Sequence, residues 1–209
     1  MDRYPGQRSE TATSLHRERL DAVIRRLRES NAESVLDLGC GPGEFLVRLA
    51  GESQIRKIAG LDSSQEALAA ARELLAREGR RDDRRLCLYH ASFTSFIEEL
   101  VGFDAAVMVE TIEHIDPQRL SAVEQAVFSG YRPKTVLITT PNCEYNVLHG
   151  MREGVFRHYD HRFEWSRAKF RGWAEGVAGR NGYRVTFDDI GEVDAVLGSS
   201  TQMATFSRG

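Results

Sequence analysis

Cysteine is scarce in this chain of 209 residues, which has only Cys40, Cys87 and Cys143. Their number is odd, they lie far apart and no two form a C-x-x-C pair, so neither a disulfide framework nor a thiolate zinc site is predicted. Long apolar runs are also missing, because no stretch approaches the roughly 20 residues of a membrane span. Residues 1–6 lack the apolar segment of a signal peptide. These absences predict a cytoplasmic protein with reduced thiols and no membrane contact.

An excess of positive charge is missing as well, since the net charge is −3. This argues against a protein that binds nucleic acid through its overall field. Locally the balance differs: residues 152–184 contain eight Lys or Arg and four Asp or Glu. Such a run is typical either of a solvated helix face or of a surface that meets phosphate groups.

The remaining pattern predicts one α/β domain over residues 11–209, after a disordered lead-in of residues 1–10. The predicted helices are 11–29, 44–50, 65–78, 117–128 and 166–181. The predicted strands are 35–38, 58–62, 86–89, 103–109, 135–140, 183–187 and 202–206. This alternation, without internal repeats, indicates a doubly wound, mostly parallel sheet. A long connection, 141–165, has few helix or strand signals and is therefore expected to be functional or disordered.

A glycine loop follows the first predicted strand, with the sequence Gly39-Cys40-Gly41-Pro42-Gly43. Glycines at a strand-to-helix turn let a ligand approach the backbone and the free N–H groups of the helix. A dinucleotide fingerprint would need a further glycine at position 44, which is Glu44, so an NAD site is disfavoured. Asp62 ends the second strand, where a carboxylate can accept both hydroxyls of a ribose. The alternative role for Asp62 is a helix N-cap.

A second cluster of polar residues, Glu110-Thr111-Ile112-Glu113-His114, follows the fourth strand. If a helical turn begins at Glu110, then Glu113 and His114 share its face. Two carboxylates and an imidazole suit Mg²⁺ or Mn²⁺ better than a thiolate-rich zinc site would. The alternative is a solvated helix face with an ordinary pair of glutamates.

The segment 37–43 resembles motif I of the class I S-adenosylmethionine-dependent methyltransferases, whose D-x-G-x-G-x-G pattern it matches throughout. The resemblance implies a Rossmann-like fold with a seven-stranded, mostly parallel sheet and an antiparallel last strand. It implies S-adenosylmethionine as cofactor. The residues that it assigns to cofactor binding are Asp37, Gly39, Gly41, Gly43 and Asp62, with Ser92 and Phe93 beside the adenine.

Further stretches resemble the Hen-type RNA 3′-terminal ribose 2′-O-methyltransferases, over roughly residues 30–207. They are E-x-x-E-H at 110–114, P-N-x-E-Y-N at 141–146, the segment 156–167 and the segment 201–206. The resemblance implies a catalytic domain whose metal ion, Mg²⁺ or Mn²⁺, binds both terminal ribose oxygens. The ligands that it assigns are Glu110, Glu113, His114 and His161. It also implies the 3′ end of a single-stranded or small RNA as substrate, RNA-repair proteins as candidate partners, and no DNA.

Some assignments stay open at this point. His158 is a candidate proton acceptor or phosphate contact, or a plain loop residue. Arg157, Arg162 and Arg167 are candidate phosphate contacts. After Phe93 the family usually has T-Y-R-D, which this chain lacks. Two rival functions share parts of the pattern: a small-molecule O-methyltransferase of the quinone type, which carries a similar E-x-x-E-H, and a catalytically silent RNA-end binding module.

Overall fold

The computed structural model describes residues 5–209, with the side chains of residues 14–209. Helix α1, Pro5–Glu29, opens the chain and begins six residues before the predicted start of the first helix. Proline is well tolerated at the first position of a helix, because the N–H that it lacks would have no intrahelical partner there. Residues 1–4 of the predicted lead-in lie outside the described residues.

Seven strands form one sheet in the order β3-β2-β1-β4-β5-β7-β6. Strand β7 is antiparallel to both of its neighbours, and all other neighbouring strands pair in parallel. The predicted mostly parallel, seven-stranded sheet with an antiparallel last strand is therefore confirmed. The strands are β1 Ser34–Leu38, β2 Lys57–Asp62, β3 Leu86–His90, β4 Ala105–Val109, β5 Thr135–Pro141, β6 Arg184–Asp194 and β7 Gly198–Ser207.

Helices cover both faces of this sheet. They are α1, α2 Glu44–Gly51, α3 Gln65–Arg77, α4 Leu120–Glu124 and α5 Arg167–Asn181. Because side chains alternate along a strand, Val35 of β1 packs with α1 to α3 in one hydrophobic cluster. Its neighbour Leu36 packs with α4 and α5 in the other. The sheet thus has a buried core on each side, as the doubly wound prediction requires.

Two predicted elements differ from those observed. The helix expected over 117–128 is a 3₁₀ turn at Pro117–Arg119, then α4, then a π-helical turn at Gln125–Tyr131. The hairpin of β6 and β7 is about twice as long as predicted, and it continues past an irregularity between Ile190 and Val193. Strand β6 lies at the edge of the sheet and is largely exposed, so much of it lacks the apolar signal from which strands are predicted.

The order of the strands reverses at β1, which lies between β2 and β4. In open α/β sheets, ligands bind in the crevice outside the carboxyl ends of the strands at such a reversal. Both clusters singled out in the sequence follow these ends: the glycine loop follows β1, and Glu110 follows β4. None of the helices in the described part of the chain is long and apolar enough to span a membrane.

Candidate active site

The glycine loop between β1 and α2 depends on backbone conformations that favour glycine. Gly39, Gly41 and Gly43 have φ values of 82°, 51° and 89°. A Cβ atom at Gly39 would lie 2.4 Å from Cγ2 of Thr111, whereas one at Gly41 would have nothing within 4 Å. Gly43 caps α2 without a side-chain hydrogen bond, so the first N–H groups of this helix receive no cap from it. The loop therefore offers open backbone to a ligand.

Asp62, at the end of β2, is tied to this loop. Its Oδ2 accepts a hydrogen bond from the Gly41 N–H at 2.8 Å, and its Oδ1 accepts one from the Ser64 N–H at 2.8 Å. The N-cap of α3 is Ser64, which accepts a hydrogen bond from the Ala67 N–H, so the alternative role for Asp62 is wrong. Each carboxylate oxygen keeps a lone pair for a further donor, which leaves Asp62 able to bind hydroxyl groups.

Asp37, in β1, is a buried acid without a complete set of partners. It is only 2% exposed, and its Oδ2 has no hydrogen-bond partner among the described residues. Burial, and then the negative charge of Asp62, raises the pKa of Asp37 to about 7. An unpaired buried carboxyl group is costly. A cationic donor on a bound molecule would supply the missing partner.

Ser92 and Phe93 follow β3, with Ser92 partly exposed and Phe93 buried. The ring of Phe93 is 7% exposed and belongs to the hydrophobic core. The Ser92 hydroxyl is 2.7 Å from Oγ1 of Thr94, within the same loop. The loop itself is fixed to the cofactor side, because the Ala91 N–H donates to the carbonyl oxygen of Asp62. Any contact of Phe93 with an adenine would therefore involve its backbone or the edge of its ring.

Glu110 does not begin a helical turn, so this prediction is wrong. Its φ is 50°, in the left-handed region, and its N–H donates to the carbonyl oxygen of Thr139 in β5. That bond holds Glu110 to the sheet, and the short 3₁₀ turn begins only at Ile112. Oε2 of Glu110 lies 3.1 Å from Nη2 of Arg19 in α1. Oε1 has no partner among residues 14–209.

Glu113 is fully buried in the 3₁₀ turn Ile112–His114. Its Oε2 accepts a hydrogen bond from the Thr140 hydroxyl at 3.0 Å, while Oε1 lacks a partner within the described chain. Burial, together with the charge of Glu110, raises the pKa of Glu113 well above its ordinary value. The two glutamates thus each bring one unpaired, buried oxygen to the same edge of the sheet, which a cation could satisfy.

Three histidines meet beside this turn. His114, His158 and His161 can each offer a ligand atom, and these atoms lie within 4.8 Å of one another. The ring centroids of His114 and His161 are 4.9 Å apart. Burial and the neighbouring His161 lower the pKa of His114, which favours the neutral form that binds metals. The cluster unites two predicted ligands, His114 and His161, with His158; Glu110 and Glu113 do not belong to it.

A layer of hydrogen bonds orients these rings. The Nδ1 atom of His161 lies 2.6 Å from Oε1 of Glu164, and Nδ1 of His114 lies 3.2 Å from Oδ2 of Asp160. Burial would raise the pKa of Glu164, but hydrogen bonds from His161 and Asn146 hold it below its ordinary value. An ionised Glu164 accepts a hydrogen bond from the Nδ1–H of His161, which leaves the lone pair of Nε2 free for a ligand.

The loop that carries His158 and His161 is pinned at both ends. Asn142 forms an isolated β-bridge with Trp165, and the Cys143 N–H donates to the Trp165 carbonyl oxygen. Gln202 of β7 holds the same point, because its side chain donates to the carbonyl oxygens of Pro141 and Trp165. The Arg162 N–H reaches the Glu113 carbonyl oxygen at 2.7 Å. The motif at 201–206 therefore holds both ends of the loop 141–165 against β7.

Arg157 and Arg167, two of the candidate phosphate contacts, are engaged inside the protein. The Arg157 guanidinium donates to Asn146, to Ser200 and to the Asn142 carbonyl oxygen. Arg167 donates to Glu144 at 2.6 Å and to the Val196 carbonyl oxygen. Only Arg162 remains open: its side chain is 59% exposed and its nearest acid, Asp160, is 3.6 Å away.

The sequence gives no signal for Arg19, which joins the site from α1. Its side chain is buried, and Nη2 donates to Thr201 at 3.0 Å while it pairs with Glu110. Arg19 is 91 positions from Glu110 in the chain, so no local pattern connects them. Glu164 could have been found, because an acid three residues after a histidine is placed to orient its ring.

Comparison with known proteins gives consistent matches. Residues 35–134 match the family model of a methyltransferase domain. The chain is 32% identical to a small RNA 2′-O-methyltransferase of Xenopus tropicalis, over 93% of this chain and 55% of that protein. It thus spans about half the length of this curated relative.

Solved structures agree. The methyltransferase domain of bacterial CtHen1 is 39% identical, with a TM-score of 0.83 over 93% of this chain and all of that chain. The small RNA methyltransferase HEN1 is 31% identical, with a TM-score of 0.86 over 93% of this chain and 26% of that chain. The resemblance predicted from the motifs is confirmed, and the chain belongs to the Hen1 family of methyltransferase domains.

Proposed function

We propose that this chain transfers a methyl group from S-adenosylmethionine to the 2′-hydroxyl of the 3′-terminal ribose of a small RNA or RNA fragment, with Mg²⁺ or Mn²⁺ bound. One observation carries the proposal. Thr111 packs against Gly39 of the glycine loop, so the cofactor cradle and the Glu110–His114 segment share one crevice. A methyl donor and a coordinated hydroxyl would then be neighbours, which is what a direct transfer needs.

The residues of the cradle fit S-adenosylmethionine. The unpaired Oδ2 of Asp37 would receive the ammonium group of the cofactor, and Asp62 would accept the ribose hydroxyls. The backbone at Gly41, where no neighbour lies within 4 Å of an added Cβ, leaves room for close approach. We further assign Gly39 and Gly43 to the same contact surface, and Ser92 and Phe93 to the adenine end.

The residues of the second cluster fit a divalent ion. The proposed ligands are Glu110, Glu113, His114 and His161, a mixed set of oxygen and nitrogen donors that suits Mg²⁺ or Mn²⁺. The buried, unpaired Oε1 atoms of the two glutamates support this choice, because a cation would satisfy both. When bound, such an ion lowers the pKa of a coordinated hydroxyl and orients it.

The protein itself would orient the substrate and receive its proton. Glu164 and Asp160 fix the ring planes of His161 and His114, so that the ribose meets a preorganised pocket. His158 has its ring 5.9 Å from that of His114 and is exposed to solvent. It is placed to accept the hydroxyl proton and pass it to water.

The decisive experiment measures methyl transfer from labelled S-adenosylmethionine to a short single-stranded RNA. Matched RNAs end in a 2′-deoxy or a 3′-deoxy nucleotide, and each is assayed with Mn²⁺, with Mg²⁺ and with chelator. Transfer that needs the metal and both terminal hydroxyls is the expected result. Cofactor binding without methylation of any RNA would favour a small-molecule substrate, and RNA binding without transfer would indicate a silent end-binding module.

A second experiment separates the proposed ligand set from the three-histidine cluster. Binding of Mn²⁺ is titrated by electron paramagnetic resonance in Glu113→Gln, His161→Ala and His158→Ala. We expect the first two variants to lose the ion and the third to keep it. Loss in His158→Ala with normal binding in Glu113→Gln would instead indicate a site of three imidazoles, which suits Zn²⁺ better. His161→Ala should also keep near-normal cofactor binding.

The proposal extends to the setting of the enzyme. We propose a single methyltransferase domain over residues 11–209 whose segment 141–165 forms the metal- and RNA-binding loop, in a cytoplasmic protein. RNA-repair proteins are its proposed partners. The three free cysteines are consistent with a reducing compartment. Fractionation of cells that express the full protein, followed by identification of co-purifying proteins, tests this part.

A further inference from the structure

Exposed apolar side chains are concentrated on the loop that carries the histidines. Among residues 14–209, nine large apolar side chains are markedly exposed, and five of them lie within residues 147–159. The five are Val147, Leu148, Val155, Phe156 and Tyr159. An exposed apolar patch on a protein surface marks a site of interaction more often than chance placement does. The outer face of this loop is therefore available to a ligand.

Tyr159 is the extreme case, with 94% of its surface exposed. Its ring centroid lies 4.4 Å from that of His158, at an interplanar angle of 34°. The turn is held from inside, because the His161 N–H donates to the His158 carbonyl oxygen and the Asp160 N–H lies 3.3 Å from Nδ1 of His158. A flat, exposed aromatic ring thus lies directly beside His158, at the edge of the histidine cluster.

We infer that Tyr159 stacks on the base of the penultimate nucleotide of the RNA substrate, and that this base is unpaired. This inference rests on the proposed function, since it takes the terminal ribose to lie at the histidine cluster. Bases in a duplex are stacked on both sides, whereas the bases of a single-stranded end expose their faces to aromatic side chains. The enzyme would accordingly favour RNAs whose last nucleotides are unpaired, with little regard for their sequence.

Charge near the ring supports RNA as the occupant. Arg152 is exposed, and Arg162 is 59% exposed and held only by Asp160 at 3.6 Å, so both guanidinium groups can reach a phosphate on the surface. The acid in the same turn, Asp160, has one oxygen 3.2 Å from Nδ1 of His114 and the other 3.6 Å from Arg162. Glu153 is the other exposed acid in residues 152–162. An aromatic face flanked by open arginines is the combination that single-stranded nucleic acids require.

The test compares four variants of the purified protein on a short single-stranded RNA. Tyr159→Phe and Tyr159→Trp keep the ring and should keep the KM for RNA within about twofold. Tyr159→Leu and Tyr159→Ala remove it and should raise KM by about 5- to 100-fold, the range expected for loss of one base stack. The kcat should change little, because the ring does not touch the reacting atoms.

An RNA with an abasic penultimate nucleotide completes a double-mutant cycle. Wild-type protein should lose affinity for it by the same factor as Tyr159→Ala loses for the normal RNA. When Tyr159→Ala is combined with the abasic RNA, the loss of affinity should be little larger than the loss caused by either change alone. Val101→Ala is the matched control: Val101 is 48% exposed and precedes β4, at the opposite end of the sheet, so KM should not move.

The outcomes separate this inference from the proposed function. If wild-type protein methylates RNA but Tyr159→Ala has a normal KM, or if Tyr159→Leu behaves like wild type, stacking by Tyr159 is refuted while the activity stands. Additive losses in the cycle would also refute it. Absence of methyl transfer by wild-type protein would refute both. Binding of labelled S-adenosylmethionine and thermal unfolding verify that each variant is folded.

Discussion

The cofactor side of the candidate site is built from one short stretch of the chain, whereas the substrate side is built from side chains that are far apart in the chain. The glycine loop, Asp37 and Asp62 lie within 26 residues, and their geometry follows from φ values and two strand ends. The substrate side joins α1, the turn after β4, the loop 141–165 and β7 through a buried polar network. The first side is therefore local and rigid. The second is cooperative, so a single broken bond should affect several residues.

The largest effect is expected from Glu164→Ala on the substrate side. It removes the acceptor of Asn146, His161 and the Arg157 N–H, and a broken buried network of this kind costs about 3 to 5 kcal/mol. Urea unfolding measures the loss. Under conditions where the variant is folded, S-adenosylmethionine should bind normally and methyl transfer should be absent.

Glu164→Gln is the matched control, because it keeps the volume and part of the hydrogen bonding. It should recover part of the stability and part of the methyl transfer. Its amide oxygen can still accept hydrogen bonds from His161 and the Arg157 N–H, whereas its amide nitrogen cannot accept the one from Asn146. If Glu164→Ala weakened cofactor binding and methyl transfer equally, the two sides of the site would not be independent.

The next effect is a pH dependence on the cofactor side, caused by Asp37. Its pKa is about 7 in the folded protein, whereas an aspartate in an unfolded chain has a pKa of about 4. Between these values the folded state holds a proton that the unfolded state has lost, so stability falls as pH rises from about 4 to 7. The full difference corresponds to at most about 4 kcal/mol. Asp37→Asn should flatten this slope in urea unfolding measured at several pH values.

Glu113 stays in both proteins, so the slope that remains in Asp37→Asn is attributable to other groups. Saturating S-adenosylmethionine should flatten the slope of wild-type protein, because its ammonium would stabilise the ionised Asp37. The same slope with and without Asp37 would show that this carboxyl group does not titrate in that range.

Gly39→Ala should destabilise the protein by about 2 to 3 kcal/mol and abolish cofactor binding. The added Cβ meets Thr111 at 2.4 Å, and the φ of 82° is strained for alanine. Gly41→Ala is the matched control, with positive φ but no neighbour, and should cost only about 1 kcal/mol. Calorimetric titration with S-adenosylmethionine and thermal unfolding measure both.

Thr111→Ser in the Gly39→Ala background removes the atom that clashes, Cγ2, and should restore part of the stability. If Gly39→Ala and Gly41→Ala destabilised the protein equally in thermal unfolding, the contact with Thr111 would have no role. The link between the two sides of the site would then lie elsewhere.

The smallest effect is expected from Arg162→Ala, on the exposed surface of the substrate side. Losing one phosphate contact should reduce the slope of log affinity for single-stranded RNA against log salt by about 0.7. Stability should not change, because the side chain is 59% exposed. Arg56→Ala, at the opposite end of the sheet and 75% exposed, is the control. An unchanged slope in Arg162→Ala would place the RNA path elsewhere.

The same contrast explains what the sequence could predict. The strands, the glycine loop and the position of Asp62 at a strand end follow from local periodicity and turn chemistry. The antiparallel last strand followed from the family resemblance, and the sheet confirms it. The prediction of a helical turn at Glu110 was wrong, because the Glu110 N–H donates to the carbonyl oxygen of Thr139 in β5 and this bond overrides the local helical spacing.

The roles of residues that depend on partners far away in the chain could not be predicted from the sequence. Arg157 and Arg167 resemble phosphate contacts in the sequence, yet both donate hydrogen bonds to groups within the protein. Arg19 has no local feature that would link it to Glu110. Long-range pairing of polar groups has no period along the chain, so it cannot be inferred from spacing.

The bridge between Asn142 and Trp165 closes the histidine loop on itself, so that it leaves the sheet and returns to it at one point. Lengthening a loop whose ends are already joined costs little, since closure entropy grows only with the logarithm of its length. Arg157 and His149 bond to Ser200 of β7, so they must be kept. The exposed residues 152–156 can therefore be exchanged as a cassette without disturbing the sheet. Grafting this cassette between related domains would exchange the outer surface of the loop while the glycine loop and Asp62 stayed the same.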